Sequence, residues 1–258
     1  MCDPRQRVHE ARVDALVADH LARRRDGVPH PVYDFLFTYY SFRPAQLRRW
    51  SPGGGSPQEI DAKRPLIEQI LELLRATSGR AANFGCFGMH EWAMVYRQKA
   101  GETRHPRPLR LGSAGTDAVV ETHRIACSHF DAFRFFTDAA RPLNTLSPAA
   151  HDRPAYEQPA CLHAGMDLYK HAFRLSPLVP SELVVDCFEL ARDIRVLDMR
   201  AAPYDFSDLE LEPVRIETPA GKQEYAAAQR EFAERGAPLR ARLVEECEAL
   251  LRVTRPDY

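Results

Sequence analysis

The twelve residues His123-Arg-Ile-Ala-Cys-Ser-His-Phe-Asp-Ala-Phe-Arg134 hold two histidines, a cysteine, an aspartate and two arginines. The fold reading turns on how the backbone runs through them. Thr116 or Asp117 can cap a helix with a side-chain oxygen, and the spacing predicts one helix from there to about residue 139, with this stretch inside it. At about 100° per residue, His123, Cys127, Asp131 and Arg134 then share a face, and His129 points roughly a third of a turn away. Val120 and Phe130 flank that face. A second stretch, His163-Ala-Gly-Met-Asp-Leu-Tyr-Lys-His171, falls in a helix predicted over 159–175, started by Pro159. There His163, Asp167 and His171 share a face, beside an apolar stripe of Leu162, Met166, Tyr169 and Phe173.

Outward from these two stretches the chain also reads as helical. Residues 4–25 are amphipathic, with Val8, Val13, Leu16, Val17 and Leu21 apolar, and Asp26-Gly27 ends them. Residues 31–50 are the most aromatic part of the chain, broken by Pro44. They read as core, or as the wall of a pocket for a flat or apolar ligand. Ser51-Pro-Gly-Gly-Gly-Ser-Pro57 is a loop without the context of a phosphate-binding motif, and no nucleotide-cofactor motif occurs elsewhere. Residues 59–76 carry a clear apolar spacing. Residues 83–97 fit a short helix or a strand, and Leu109-Arg-Leu111 fits a short strand. A helix is predicted over 181–199, begun by Ser181. The tail, 222–252, reads as two helices broken near Gly236-Ala-Pro238. The expectation is a mostly α, single-domain helical bundle over 1–258, with minor irregular or β segments.

The net charge of −1 supplies no global basic field for nucleic acid. All but four of the basic residues (Lys63, Lys99, Lys170, Lys222) are arginine, which fits either coding bias or bidentate anion recognition. Cys2, Cys86, Cys127, Cys161, Cys187 and Cys247 form no CxxC pair, so a zinc knuckle is not expected. They suit buried thiols in a reducing compartment. The charged N-terminus and the absence of a membrane-length apolar run predict a cytoplasmic protein with no membrane partner.

Each polar residue has a structural reading beside its functional one. His163 and Asp167 fit a solvated face near Lys170 and Arg174. His123 fits a core histidine satisfied by Asp131 or a carbonyl, and Cys127 a small buried hydrophobe. Asp186, Glu189 and Asp193 read as solvated or paired with Arg192 and Arg195. The functional reading collects imidazoles and carboxylates from facing helices, which is how helical bundles build iron or manganese sites. On that reading His123, His163, Asp167, His171 and Glu91 are metal ligands. Asp131 and Arg134 are the catalytic residues, with Asp131 orienting His123. Tyr39, Tyr40, Arg43, Trp92 and Arg124 contact the substrate, with Arg124 or Arg134 holding a carboxylate.

The spacing His163-x3-Asp167-x3-His171 resembles the third-helix ligand pattern of haem-oxygenase-like diiron oxidases, with one residue more before the last histidine and without that family's earlier Glu-x6-His helix. More extensively, Asp34 to Trp50, Gly85 to Arg97, His123 to Thr137 and Gln158 to Arg200 resemble an actinobacterial family labelled 3-methyladenine DNA glycosylase, over about residues 10 to 245. The resemblance implies an alkylated-base hydrolase. Departures are Ser51 where the family has histidine, a shorter segment after it, and His171 where the family has tryptophan.

Three readings follow. The favoured one is a metal-dependent enzyme, with a transition metal (iron first), acting on a small molecule as an oxidoreductase. The alternative is a DNA-repair hydrolase in which aromatics stack a flipped base and Asp131 or Glu91 activates water; nucleic acid is thus the less favoured partner. The third is a non-catalytic binding protein whose polar residues form a satisfied network. Oligomeric state is not legible.

Overall fold

The apolar periodicity along this chain is met almost entirely by helices. The computed structural model describes residues 3–99, 101–103 and 105–253, so Cys2 lies outside the described residues. The described part is 61% helical, with 11 α-helices and no strand, so the protein is mostly α. The expected strand at Leu109 shrinks to one antiparallel bridge with Tyr204, and a parallel bridge joins Ile125 and Asn144. No helix among the described residues is long and apolar enough to cross a membrane.

Backbone contacts divide the chain into two compact units. The first comprises Met1–Ser78, Gly165–Arg195 and Arg235–Tyr258, the second Gly79–Ala164 and Val196–Glu234. The division falls within α9 (Leu162–Leu175), α10 (Ser181–Ala201) and α11 (Pro219–Arg252), so each part of these helices is described with its own unit.

The first unit holds α1 (Pro4–Arg25), α2 (Phe35–Thr38), α3 (Pro44–Leu47) and α4 (Pro57–Ser78). Asp3 caps α1 by accepting the Arg5 N–H at 2.8 Å, and Arg23, Arg24 and Arg25 lie in its last turn, where cations suit the helix dipole. Val13 and Val17 face the core. Of the aromatic stretch, Tyr40 is core, Tyr33 is exposed and the other aromatics are half-buried. Tyr40 lies edge-on to Tyr169 at 5.7 Å, and Phe42 stacks on Phe173 at 4.6 Å. Gly165 allows close packing of α9 on α10, since a β-carbon there would come within 2.8 Å of Ile194. Asp186 and Glu189 are each held by Arg12 at 2.8 Å, not by Arg192 or Arg195; Arg192 pairs with Asp193 as expected.

The second unit holds α5 (Met89–Ala93), α6 (Gly112–Thr122), α7 (Phe130–Phe133) and α8 (Arg153–Tyr156). Here the helix predicted over 117–139 is corrected. α6 stops at Thr122, and His123 is extended at φ −114° and ψ 139°. The His123 ring Nδ1–H donates to the Val119 carbonyl at 2.7 Å, the acceptor that the His123 amide would use to continue the helix. Thr122 Oγ1 likewise donates to the Ala118 carbonyl at 2.7 Å. Asn144 then holds the released strand-like segment, accepting from Cys127 N at 2.7 Å and donating to the Cys127 carbonyl at 3.0 Å. The shared face of His123, Cys127, Asp131 and Arg134 therefore does not exist.

The expected break in the tail is corrected as well. α11 runs unbroken for 34 residues with Pro238 inside it. Burial of Tyr225 and Gln229 at one end and of Leu243, Cys247 and Leu250 at the other fixes both ends as helix, and burial of an apolar face outweighs local propensity.

Candidate metal centre

Gly88 opens the site. Its left-handed backbone, φ 68°, starts α5, a conformation that glycine takes without a β-carbon clash. The indole N–H of Trp92, one turn on, donates to the carbonyl of Ala201 at 2.9 Å. That bond fastens α5 to the last turn of α10. As a result His90 on α5 meets Asp198 on α10, with Nε2 and Oδ1 3.0 Å apart. His163, the second residue of α9, brings its ring edge-on to His90 with centroids 4.5 Å apart. One donor atom from each of His90, His163 and Asp198 lies within 4.8 Å of the others, and the three could hold a metal ion.

The cluster is well enclosed. Asp198 is 0% exposed and His90 6%, with His163 half-buried. Glu91 places Oε1 3.8 Å from His90 Nε2. On the other side the ring of His129 lies 5.3 Å from that of His163. Its Nε2 is 3.4 Å from Glu157 Oε1, and the Arg153 guanidinium holds that same oxygen at 2.5 Å. Two imidazoles and a carboxylate form a borderline N,N,O donor set, of the kind that binds zinc, iron or manganese.

A cavity of ≈20 Å³ adjoins the cluster, lined by His90, His163, His129, Cys127, Cys161 and Tyr225 among others. That volume admits about one water molecule. Three cysteines far apart in sequence, Cys86, Cys127 and Cys161, line it, and all are free thiols. Burial pushes the Cys127 thiol up to about 12, and burial also raises Cys86 and Cys161. With no metal bound they are therefore neutral thiols near neutral pH.

The residues singled out from the sequence scatter. His163 belongs to the cluster and Glu91 lies beside it. His123 is turned to the Val119 carbonyl and is outside the group. Asp167 and His171 lie in the first unit and outside the group. Asp167 accepts from the Tyr40 hydroxyl at 3.2 Å and pairs with Lys170 at 3.2 Å, and His171 is 3% exposed. Asp131 and Arg134 pair with each other at 3.5 Å across α7. Trp92 is fully buried and spends its N–H on Ala201, so it is a structural pin and not a substrate contact. Arg43 and Arg124 are exposed, Tyr39 is half-buried, and Tyr40 is core.

Sequence reasoning missed Asp198 and set His129 aside. A signal for Asp198 was present, because it continues the apolar stripe of Cys187, Ala191 and Ile194 at helical spacing. An acid on a buried stripe calls for a partner. His129 was lost because its position was judged on a helix that does not form.

No family model, curated protein or solved structure matches this chain.

Proposed function

We propose that the chain is a metal-dependent enzyme of the non-haem iron type, an oxidoreductase acting on a small molecule in the cytoplasm. The observation that carries this reading is the convergence of His90, His163 and Asp198 on one point inside the second unit. Two histidines and one carboxylate with open positions are the donor set of non-haem Fe(II) oxygenases. When bound, the ion supplies Lewis-acid and redox chemistry at those open positions.

The protein's own contribution is positional. Asp198, fully buried, supplies negative charge that a cation at the cluster would neutralise. Glu91, 3.8 Å from His90 Nε2, adds a second negative charge beside the cluster. His129 faces the cavity and backs onto Glu157, which Arg153 anchors. That chain of contacts holds the His129 ring in place beside the cavity. The cavity beside the cluster leaves room for about one water-sized ligand.

The glycosylase resemblance remains the alternative reading. An extruded base, like any organic substrate, needs more room than the cavity at the cluster holds. The test is dioxygen uptake by protein loaded anaerobically with Fe(II). Consumption above that of free iron, lost in Asp198→Asn, supports the reading. No uptake, together with release of alkylated base from methylated DNA, replaces it with the alternative.

A further inference from the structure

A second cavity lies in the same unit, away from the metal cluster's lining. It is a cleft of ≈380 Å³, walled by Arg110 and Leu111, by the last turn of α10, and by the loop from Tyr204 to Glu217. The size falls within the range of small-molecule sites, roughly 300–1,000 Å³.

The cleft is built rather than left over between loops. Arg110 N donates to the Pro203 carbonyl at 2.9 Å, Asp205 N to Pro108 at 2.9 Å, and Val214 N to Arg200 at 2.8 Å. Those bonds fix the backbone of all three walls. Arg110 forks onto Glu217 with two bonds of 2.7 Å and lies over the Trp92 ring at 5.3 Å. Arg200 donates to the Glu212 carbonyl at 2.7 Å and to Glu224 at 3.0 Å. The cations of Arg110 and Arg200 and the carboxylate of Glu217 are thereby committed to the scaffold.

Two further charged ends stand in the wall. The charge of Arg215 acts on Glu217, whose hydrogen bonds are taken up by Arg110. Arg215 and Glu212 are both exposed in the wall. Their charges are opposite. Beside them the cleft offers apolar surface at Leu111, 37% exposed, and at half-buried Leu211 and Pro213, whereas Phe206 is buried beneath the Arg107 guanidinium at 4.9 Å. An anion alone would meet Glu212, and an amine alone would meet Arg215. A ligand carrying both charges and an apolar group satisfies the whole wall, the carboxylate on the arginine fork and the ammonium on the carboxylate.

We propose that this cleft is a binding site for a small zwitterion with an apolar side chain, an α-amino acid in chemical class, held between Arg215 and Glu212 against Leu111 and Leu211. It rests on no assumption about the metal centre.

L-Phenylalanine is the probe, titrated into the full-length protein by isothermal calorimetry, with 3-phenylpropionate and phenethylamine as controls that each lack one charge. L-Phenylalanine is expected to bind. Each control, lacking one charge-assisted contact, is expected to bind about tenfold more weakly or worse. Arg215→Ala is expected to weaken L-phenylalanine to the level of phenethylamine, and Glu212→Gln to the level of 3-phenylpropionate. Both residues are exposed, so circular dichroism of the two variants should match the parent. Absence of heat up to concentrations on the order of 10 mM overturns the proposal. Equal binding of either control, or unchanged binding to both variants, overturns it too.

Discussion

At the scale of single residues, Asp198 decides the most. A carboxylate with no exposure, 3.0 Å from an imidazole nitrogen, is expensive unless something positive offsets it. Asp198→Asn keeps shape and removes charge, so the folded protein is expected to remain while metal affinity falls by a large factor. His163→Ala should act in the same direction. Cys127 gives a second residue-level expectation. Burial lifts its thiol from about 9 to about 12, so the folded state holds this proton more tightly than the unfolded chain does. The stabilisation is complete below about pH 9 and fades as pH rises toward about 12. Urea unfolding midpoints measured across that window should fall with pH, and fall less in Cys127→Ala. Iodoacetamide at pH 8 should label Cys127 only after unfolding. Of the site, the sequence made His163 and Glu91 legible as ligand-type residues. It could not rank them against Asp167 or His171, because helical spacing says which residues share a face and not what that face meets.

Among elements, the segment from His123 to His129 shows why local reading fails where it does. Nothing in the residue types forbids a helix there. The alternative wins because the His123 ring takes the Val119 carbonyl and Asn144, some twenty residues on, supplies both partners for Cys127. That second contact is long-range and has no signature in a sliding window. Asn144→Ala removes bonds to Cys127 N, Cys127 O and Leu146 O, and is expected to cost about 2–4 kcal/mol. Because this segment carries His129 to the His163 ring, the same variant should also loosen metal binding. Chemical denaturation and a metal titration on one sample check both. The opposite error occurred in α11, where Gly236 and Pro238 suggested a break that packing overrides. Pro238 is exposed within a continuous helix, so Pro238→Ala restores a backbone donor without opening a hole. It should stabilise the protein by about 1–3 kcal/mol, read from the shift of the denaturation midpoint. The helices at 4–25, 59–76, 159–175 and 181–199 were legible to within a few residues because each carries its apolar stripe in its own sequence.

For the molecule as a whole, α5, α9 and α10 each give one residue to the cluster, from positions 90, 163 and 198. No short motif could have announced that arrangement. The glycine that starts α5 and the Trp92 bond that fastens it place His90, and these are features of backbone conformation that composition does not show. The most direct test is elemental analysis of the protein after anaerobic reconstitution with Fe(II) and removal of unbound metal, set against Asp198→Asn treated identically. The account expects about one iron per chain in the parent and a near-complete loss in a variant whose circular dichroism is unchanged. A parent that retains no metal, or a folded variant that retains as much as the parent, would contradict it.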